Sequence, residues 1–254
     1  MIPRWLKLLL VVILPCYVLY LVAAKTPATW AAWAMQKAVP GLWLSGVNGS
    51  FWRGSAEFGQ LDLGDSMLLA LGEVRWTLRP WSLITLRACG DLQTFATGQS
   101  IAGEFCHSMH GSTELENMTV DLPVALANAL LPVQIGGQAS LQVITASVDR
   151  QLRIRELDAK LSWREAKAHN GESWLKLGSF GANLSESEQG GIQANIFDLQ
   201  GPFKLDANAS WLLKEGWQVA AQITPTESAP PMLVQGLQVV GEEKTKGTYS
   251  LSWP

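Results

Sequence analysis

Three patterns of apolar residues divide the sequence. Residues 8–24 form a continuous apolar run, residues 26–39 carry apolar side chains at helical spacing, and from Leu42 onward apolar and polar residues alternate. A continuous run, a period near 3.6 and a period of 2 are typical of a membrane span, an amphipathic helix and half-buried β-strands, respectively. The pattern therefore predicts a mainly β protein preceded by two helices.

The apolar run at 8–24 contains 17 residues without a charge, close to the minimum of about 17 that a transmembrane helix needs. Arg4 and Lys7 precede it, and together with the N-terminus they outweigh Lys25, which follows it. The positive-inside rule then places residues 1–7 in the cytoplasm and the rest of the chain in the periplasm of a bacterial inner-membrane protein. A cleaved signal peptide is the alternative, and the length of the run favours an uncleaved, single-pass anchor.

A short helix is predicted in the juxtamembrane segment 25–41, because Pro27 and Pro40 stand near its start and just past its end. Trp30 and Trp33 lie at helical spacing within it. We expect these two side chains to contact either the lipid headgroups or the first β layer.

Residues 42–254 are predicted to form a periplasmic antiparallel β domain. Five segments alternate between apolar and polar residues, at 74–78, 157–163, 203–211, 217–223 and 249–253. Glycine-containing turns at 189–191 and 215–216 separate neighbouring strands. Because strands joined by such short turns are antiparallel, the domain is expected to be a sheet with one face exposed to water.

One later α-helix is predicted at 121–131, with Asp121 as its N-cap, Pro123 in its first turn and a proline after its end. The strand patterns on either side of this helix are similar, which suggests two related β units. Residues 224–231 are interpreted as a loop, and the sequence from Met232 onward as a further strand.

Composition restricts the classes of function. Only 16% of the 254 residues are charged, whereas there are 12 tryptophans and 23 glycines, as expected for a β protein with a neutral polar surface. Three of the 19 basic residues precede Thr26, which leaves 16 against 22 acidic residues and a net charge of −6 for the remainder. This acidic body argues against nucleic acid as a partner.

The positions of the three cysteines are consistent with a periplasmic location. Cys16 lies within the apolar run, where it is a small hydrophobic residue. Cys89 and Cys106 are predicted to form a disulfide in this oxidising compartment, 17 residues apart. Two buried free thiols are the alternative.

The histidines do not indicate a metal site. His107 and His110 follow Cys106, but a structural zinc site needs four ligands, and His169 is the one remaining histidine. The sequence also contains neither a nucleophile elbow nor a phosphate-binding glycine loop. We therefore expect no metal and no cofactor.

Two pairs of carboxylates are candidates for an acid/base pair. Glu114 and Glu116 alternate on one strand, and Glu186 and Glu188 flank serines in a turn. Neither pair has the apolar surroundings that catalytic carboxylates need, so we interpret both as solvated. With no candidate catalytic residue, the sequence predicts a protein that is not an enzyme.

One glycine- and tryptophan-rich stretch is more specific than these general patterns. Its residues, and those of the strand that follows, are Gly46, Gly49, Trp52, Gly54, Trp76 and Pro80. These elements occur together with the apolar run at 8–24 and with alternating apolar and polar residues near the C-terminus. In this combination nearly the whole chain resembles the type II secretion system protein N family, or general secretion pathway protein N. The two tryptophans are candidates for either the core or an interface, and the alternation favours the core.

The resemblance implies a non-enzymatic accessory component of the machine that exports folded proteins from the periplasm. Its expected partners are other secretion components, in the inner-membrane platform or the secretin, and the lipid of the inner membrane. The resemblance implies no catalytic residues, and it does not include the Cys89–Cys106 pair.

An alternative function belongs to another class. AsmA-like proteins also combine an N-terminal anchor with antiparallel strands, and an apolar concave face would suit the acyl chain of a lipid. A continuous apolar groove would favour lipid handling, whereas neighbouring genes for a secretin, a secretion ATPase and pseudopilins would favour secretion.

The topology can be tested directly. A reporter that is active only in the periplasm should be active when fused after Pro254, and the mature chain should keep residues 1–24 in the membrane fraction. A soluble product that begins at Lys25 would contradict the anchor.

Overall fold

The computed structural model of the chain describes residues 25–64, 68–129, 131, 133–151, 153–212, 215–245 and 247–253. The predicted cytoplasmic tail and transmembrane helix, residues 1–24, lie outside this part of the chain. Within the described part, no helix combines the length and the hydrophobicity that a membrane span requires.

The first half of the chain contains one α-helix, two 3₁₀-helices and six strands among its described elements. In chain order these are α1 (Ala28–Ala38), β1 (Leu42–Gly49), β2 (Arg53–Asp62), β3 (Leu68–Leu78), η1 (Pro80–Thr85), β4 (Arg87–Ala96), β5 (Gln99–Ser108), β6 (Thr113–Pro123) and η2 (Val124–Ala129). The second half follows with β7 (Ile135–Val148), β8 (Ile154–His169), β9 (Trp174–Glu186), β10 (Ile192–Gln200), β11 (Phe203–Leu212), β12 (Gly216–Pro225), α2 (Pro231–Val240), β13 (Glu242–Thr245) and β14 (Thr248–Trp253).

All of these strands form one antiparallel sheet in which strands adjacent in sequence are nearly always adjacent in space. The order runs from β1 to β12, then β14, then β13. This confirms the mainly β, antiparallel architecture, and the five alternating segments lie in β3, β8, β11, β12 and β14. The turns at 189–191 and 215–216 join β9 to β10 and β11 to β12, as predicted.

The sheet is not divided into two units. Strand β6 pairs with β7 from Thr113↔Val148 to Pro123↔Gln138, so the sheet continues without a break past the predicted boundary. The similarity between the two halves reflects the repeated alternation of strands in a single sheet.

The α-helix predicted at 121–131 is wrong. Asp121 lies in β6, where it pairs with Ser100 and Ser140, and only the 3₁₀-helix η2 follows. Val120 and Leu122 explain the difference, because in β6 they extend the apolar face of the sheet, and packing of that kind overrides a local capping signal.

The strand predicted from Met232 onward is also wrong, because α2 occupies Pro231–Val240. Pro231 occupies the first turn of the helix, a favourable position for proline. Leu233, Val234 and Leu237 are half-buried, which is the spacing of an amphipathic helix rather than a strand. The predicted loop shortens to residues 226–230, since β12 extends to Pro225.

One face of the sheet is apolar across thirteen strands. Residues paired in register share a face, and one such row reads Val47, Ala56, Val74, Thr94, Ile101, Val120, Leu141, Leu161, Ala182, Ile196, Ala207, Ala221 and Leu251. Its one polar member, Thr94, accepts a hydrogen bond from the N–H of Ile101 at 2.9 Å.

The next row, on the opposite face, is polar. It reads Asn48, Ser55, Arg75, Gln93, Ala102, Thr119, Gln142, Lys160, Asn183, Asn195, Asn208, Ala220 and Ser252. The sheet therefore has one apolar and one polar face, as the sequence alternation predicted.

Helix α1 packs against the apolar face at the start of the sheet, which confirms the predicted helix. Its buried residues Ala28, Ala31 and Ala32 form one hydrophobic cluster with Val74 and Trp76, among others. Small side chains let the helix backbone approach the sheet closely. The tryptophans of the helix point away from this contact, since Trp30 and Trp33 are exposed.

We expect the packing of α1 against strands β1 to β3 to depend on Trp76. It is 2% exposed, and its Nε1–H donates to the carbonyl of Phe51 at 3.2 Å. Replacing it by alanine removes a buried aromatic side chain, so we expect Trp76→Ala to lower the free energy of unfolding by about 3–5 kcal/mol, measured by urea denaturation of the full chain in detergent.

The matched control is Trp43→Ala, because Trp43 lies in β1 but is 66% exposed. We expect this variant to stay within about 0.5 kcal/mol of the parent protein. Equal losses for the two variants would show that Trp76 does not pack as described.

Candidate functional site

Most of the glycine and tryptophan residues singled out in the sequence lie where α1 meets the sheet. Gly49, Gly54 and Trp76 are in register across β1, β2 and β3. Trp52 is half-buried next to Phe51, with ring centroids 5.1 Å apart. These residues form a packing unit rather than a reactive group.

Gly54 shows why this unit needs glycine. A Cβ atom at this position would lie 2.4 Å from the indole ring of Trp76 and 2.9 Å from Cβ of Ala28. Both distances are too short for any side chain, so glycine at 54 allows the helix, the indole and β2 to pack together.

The remaining two residues of the set lie outside this contact. Gly46 has a φ of 66° in the middle of β1 and faces Glu57, and Pro80 starts the 3₁₀-helix η1 after β3. The structure therefore brings together Gly49, Gly54 and Trp76, and places Trp52 beside them. Gly46, within β1, and Pro80, at the start of η1, lie apart from this group.

Cys89 and Cys106 lie opposite each other on β4 and β5. Their Sγ atoms are 2.09 Å apart and their Cα atoms 4.0 Å apart. Next to them, the hydroxyl of Ser82 accepts a hydrogen bond from the N–H of Cys89 at 3.1 Å. The disulfide thus joins two strands at the place where η1 contacts the sheet.

Over β8–β12, two neighbouring rows of the apolar face are rich in alanine. The first row contains Leu161, Ala182, Ile196, Ala207 and Ala221, and the second contains Ala159, Leu184, Ala194, Ala209 and Val219. Larger side chains flank these rows, with the ring centroids of Trp163 and Phe180 6.1 Å apart on one side and those of Trp211 and Trp217 6.3 Å apart on the other. We call these two rows of mostly small side chains the alanine trough.

Helix α1 packs on the apolar face at the start of the sheet, whereas no helix contributes to the described cluster around Val143. The half-buried side chains packed against Val143, Ala146 and Ala159 all come from the neighbouring strands β6, β7, β8 and β9. Leu161, in the first row, is 37% exposed. Most alanines of the two rows, by contrast, are buried, since Ala159, Ala182, Ala194, Ala207 and Ala209 are 1–7% exposed.

A cavity of about 870 Å³ lies at one end of β8 and β9. Its lining includes Ala166, Gly178, Lys167 and Lys176, and the loop before α2 contributes Pro230. Lys167 and Lys176 are directly opposite each other in register. Sites for small ligands have volumes of about 300–1,000 Å³, so this cavity is large enough for one.

The two edges of the sheet differ in chemistry. Strand β13 has four residues, all exposed, with the sequence Glu-Glu-Lys-Thr. Strand β1 has eight residues without a charge. Charged and very short edge strands resist pairing with other chains, whereas longer uncharged ones can accept a partner strand.

Comparison with known protein families shows which family the chain belongs to. The family model for type II secretion system protein N matches residues 40–252. The chain belongs to this family. No curated protein and no solved structure matches it. The match begins before β1 and ends within β14, and the predicted resemblance to the protein N family is confirmed.

In this family member, the histidines have ordinary side-chain contacts. Nδ1 of His107 lies 2.9 Å from the hydroxyl of Thr113, and the ring of His169 contacts that of Trp174. Among the described residues, no three His, Cys, Asp or Glu side chains group closely enough to hold a metal ion.

Two of the four carboxylates named as acid/base candidates, Glu114 and Glu186, bind groups on other strands. Glu114 forms an ion pair with Arg87. The backbone N–H of Glu186 itself, and that of Leu157 at 3.0 Å, hold the pKa of the Glu186 carboxyl below its ordinary value. A carboxylate kept ionised in this way orients the backbone and is unsuited to proton transfer near neutral pH.

Sequence reasoning did not find the alanine trough or the opposed lysines. Both depend on pairing between strands, and the alternation within β8 changes phase between Trp163 and Ala166. The one available signal was the frequency of alanine at alternate positions, as in 205–211.

The disulfide yields a further prediction for this family member. Reduction of Cys89–Cys106 should lower the free energy of unfolding by about 3 kcal/mol, because it releases a loop of 17 residues in the unfolded state. The measurement is urea denaturation with and without reductant. A Cys16→Ala background leaves these two cysteines alone for non-reducing peptide mapping, and recovery of both as free thiols from periplasmic protein would contradict the bond.

Proposed function

We propose that this protein is a non-enzymatic accessory component of the type II secretion system that takes part in the export of folded proteins. Residues 8–24 hold it in the inner membrane, and residues 42–254 act in the periplasm. The observation that carries the proposal is the match to protein N over residues 40–252, which overlaps every strand of the sheet.

The charged residues support a binding role for the polar face. Arg79 forms ion pairs with Asp91 and Glu104 across β4 and β5. The hydrogen bond with Glu104, ahead of the attraction of Asp91, raises the pKa of the Arg79 guanidinium. Charges exposed on a sheet surface in this way can steer a partner with a complementary charge pattern.

Strand β1 is the part of the sheet best suited to accept a partner strand. It is the longer and uncharged edge, and its Trp43 side chain is exposed. The amides of Gln36 and Asn48 donate to the carbonyls of Leu44 at 3.4 Å and Gly46 at 3.1 Å. A strand of another secretion component would replace these weak contacts with a ladder of backbone hydrogen bonds.

Deletion of the gene, with measurement of secreted exoprotein, tests the role in export. We expect secretion to fall and to recover with the wild-type gene. Recovery by a variant with Trp76→Ala should be weaker and should follow the abundance of the protein, since that substitution acts on folding.

Crosslinking tests the docking edge. A photoreactive residue at Ser45, in β1, should form adducts with another inner-membrane secretion component or with the secretin. The same residue at Lys244, in the opposite edge strand β13, is the control and should form few. Unimpaired secretion together with no adduct at Ser45 would refute the proposal.

A further inference from the structure

The proposed membrane anchor meets the sheet at one end of its first strands. Thr26 stands two positions after residues 8–24, the proposed anchor. Its carbonyl accepts a hydrogen bond from the N–H of Phe51 at 2.8 Å, and Pro27 forms an antiparallel bridge with Ser50. Ser50 and Phe51 lie in the turn between β1 and β2. The chain therefore enters the sheet where β1 ends and β2 begins, and we call this the anchor end of the sheet.

The 3₁₀-helix η1 and the turn between β5 and β6 lie at the same end. The N–H of Leu78, the last residue of β3, donates to the carbonyl of Trp52 in the β1–β2 turn at 2.7 Å. After η1, the carbonyl of Leu86 accepts a hydrogen bond from the N–H of Met109, in the β5–β6 turn, at 3.1 Å. Backbone hydrogen bonds thus link the point where the chain enters the sheet to η1 and to the β5–β6 turn.

Five large apolar side chains of these segments are exposed. Trp81 is 80% exposed, Met109 77% and Ile84 74%, and Leu83 and Leu86 are also exposed. We call these five side chains the apolar rim. Large apolar residues concentrated at one place on a surface mark an interaction site, and tryptophan is typical of the boundary between membrane and water.

Two exposed arginines lie at the same end of the sheet. Arg53 begins β2, and Arg150, in the turn between β7 and β8, packs against the β5–β6 turn. Among the described residues neither arginine forms an ion pair, whereas Glu104 and Glu114 are already paired with other arginines. Arg53 and Arg150 are therefore available to an anionic group such as a lipid phosphate.

From this arrangement we infer that the anchor end of the sheet lies in the headgroup layer of the inner membrane. The apolar rim inserts among the lipids, and Arg53 and Arg150 bind their phosphates. The inference rests on the proposed anchor at residues 8–24, which keeps lipid at a high effective concentration next to the rim. A protein partner would have to displace that lipid, so the bilayer is the favoured occupant.

The dimensions of the membrane and of the sheet agree with this placement. The headgroup layer is roughly 5–7 Å thick on each side of the hydrocarbon core. Neighbouring strands are about 4.8 Å apart, and η1 follows β3, the strand next to β2. Because η1 starts about one strand spacing from the point where the chain enters the sheet, it lies within the headgroup layer.

Photo-crosslinking of the full chain in vesicles of phosphatidylethanolamine and phosphatidylglycerol tests the rim. A photoreactive residue at Ile84 lies in the rim. The control position is the exposed Thr97, in the turn between β4 and β5 at the other end of β4, roughly 30 Å away. We expect mass spectrometry to find phospholipid attached at position 84 and not at 97. No lipid adduct at 84, or equal adducts at both positions, would overturn the inference.

Photolysis in cells separates lipid from a protein partner. The full chain with the photoreactive residue at position 84 should again carry phospholipid when all secretion components are present. A protein attached at this position in place of lipid would assign the rim to a partner and refute the inference.

Charge reversal tests the phosphate contacts. Arg53→Glu should lower the lipid adduct at position 84 roughly fivefold, the contribution of one basic residue at an anionic surface, and should have no effect in vesicles of phosphatidylethanolamine alone. The matched control is Arg164→Glu, because Arg164 is also exposed and forms no ion pair with a described residue, but lies toward the other end of the sheet. An equal decrease for both variants, or no decrease for Arg53→Glu, would contradict these contacts. Circular dichroism verifies that each variant keeps its sheet, and Arg53→Gln replaces Arg53→Glu if that one does not fold.

Extraction with alkaline carbonate measures the anchor separately. A chain that stays in the vesicles but gives no lipid adduct at position 84 refutes the rim and leaves the anchor intact. A chain that is released, yet gives the adduct before extraction, refutes the anchor and shows that the rim binds lipid without it. The exoprotein assay is independent of both, so normal secretion in a deletion strain leaves the adduct at position 84 untouched.

Discussion

Register between neighbouring strands is the constraint on which this structure depends. A strand that slips by one residue moves all of its side chains to the opposite face. Here the same apolar row must be kept across thirteen strands in sequence. An error at any one pairing would expose apolar side chains on the polar face and bury polar ones from there onward. The fold of the later strands therefore depends on the accuracy of the earlier ones.

Bulges keep this register where the sequence does not alternate evenly. In β6, Leu115 and Met118 are consecutive side chains on the apolar face, although three positions separate them. Asn117, which lies between them, has a φ of 49°. In β8 it passes from Trp163 to Ala166, and Glu165 has a φ of 52°. Each bulge takes up one extra residue, so that the alternation resumes on the correct face. These backbone conformations are unfavourable for residues other than glycine, and their cost is offset by the packing that they preserve.

The same bulges explain how much could be predicted from the sequence. Uninterrupted alternation identified the cores of β11, β12 and β14, and prolines identified α1. Where a bulge changes the phase, alternation breaks into fragments. The helix predicted at 121–131 had another cause, since Asp121 and Pro123 resemble a helix start although both lie in β6. The trough and the opposed lysines could not be predicted, because the pairing of Lys167 with Lys176 depends on a bulge that no local pattern reveals.

The order of the strands also bears on how the protein folds. Nearly every strand pairs with the one made just before it, so each can join the sheet soon after it is made, without waiting for distant segments. Local pairing of this kind lowers the entropy lost when loops close. At each stage the growing sheet has an unpaired edge on the side where the next strand is added, a hazard for aggregation. The exception to sequential order is β14, which pairs with β12 and leaves the short, charged β13 outside. The strand least suited to pairing with another chain thus covers the edge along which the earlier strands were added.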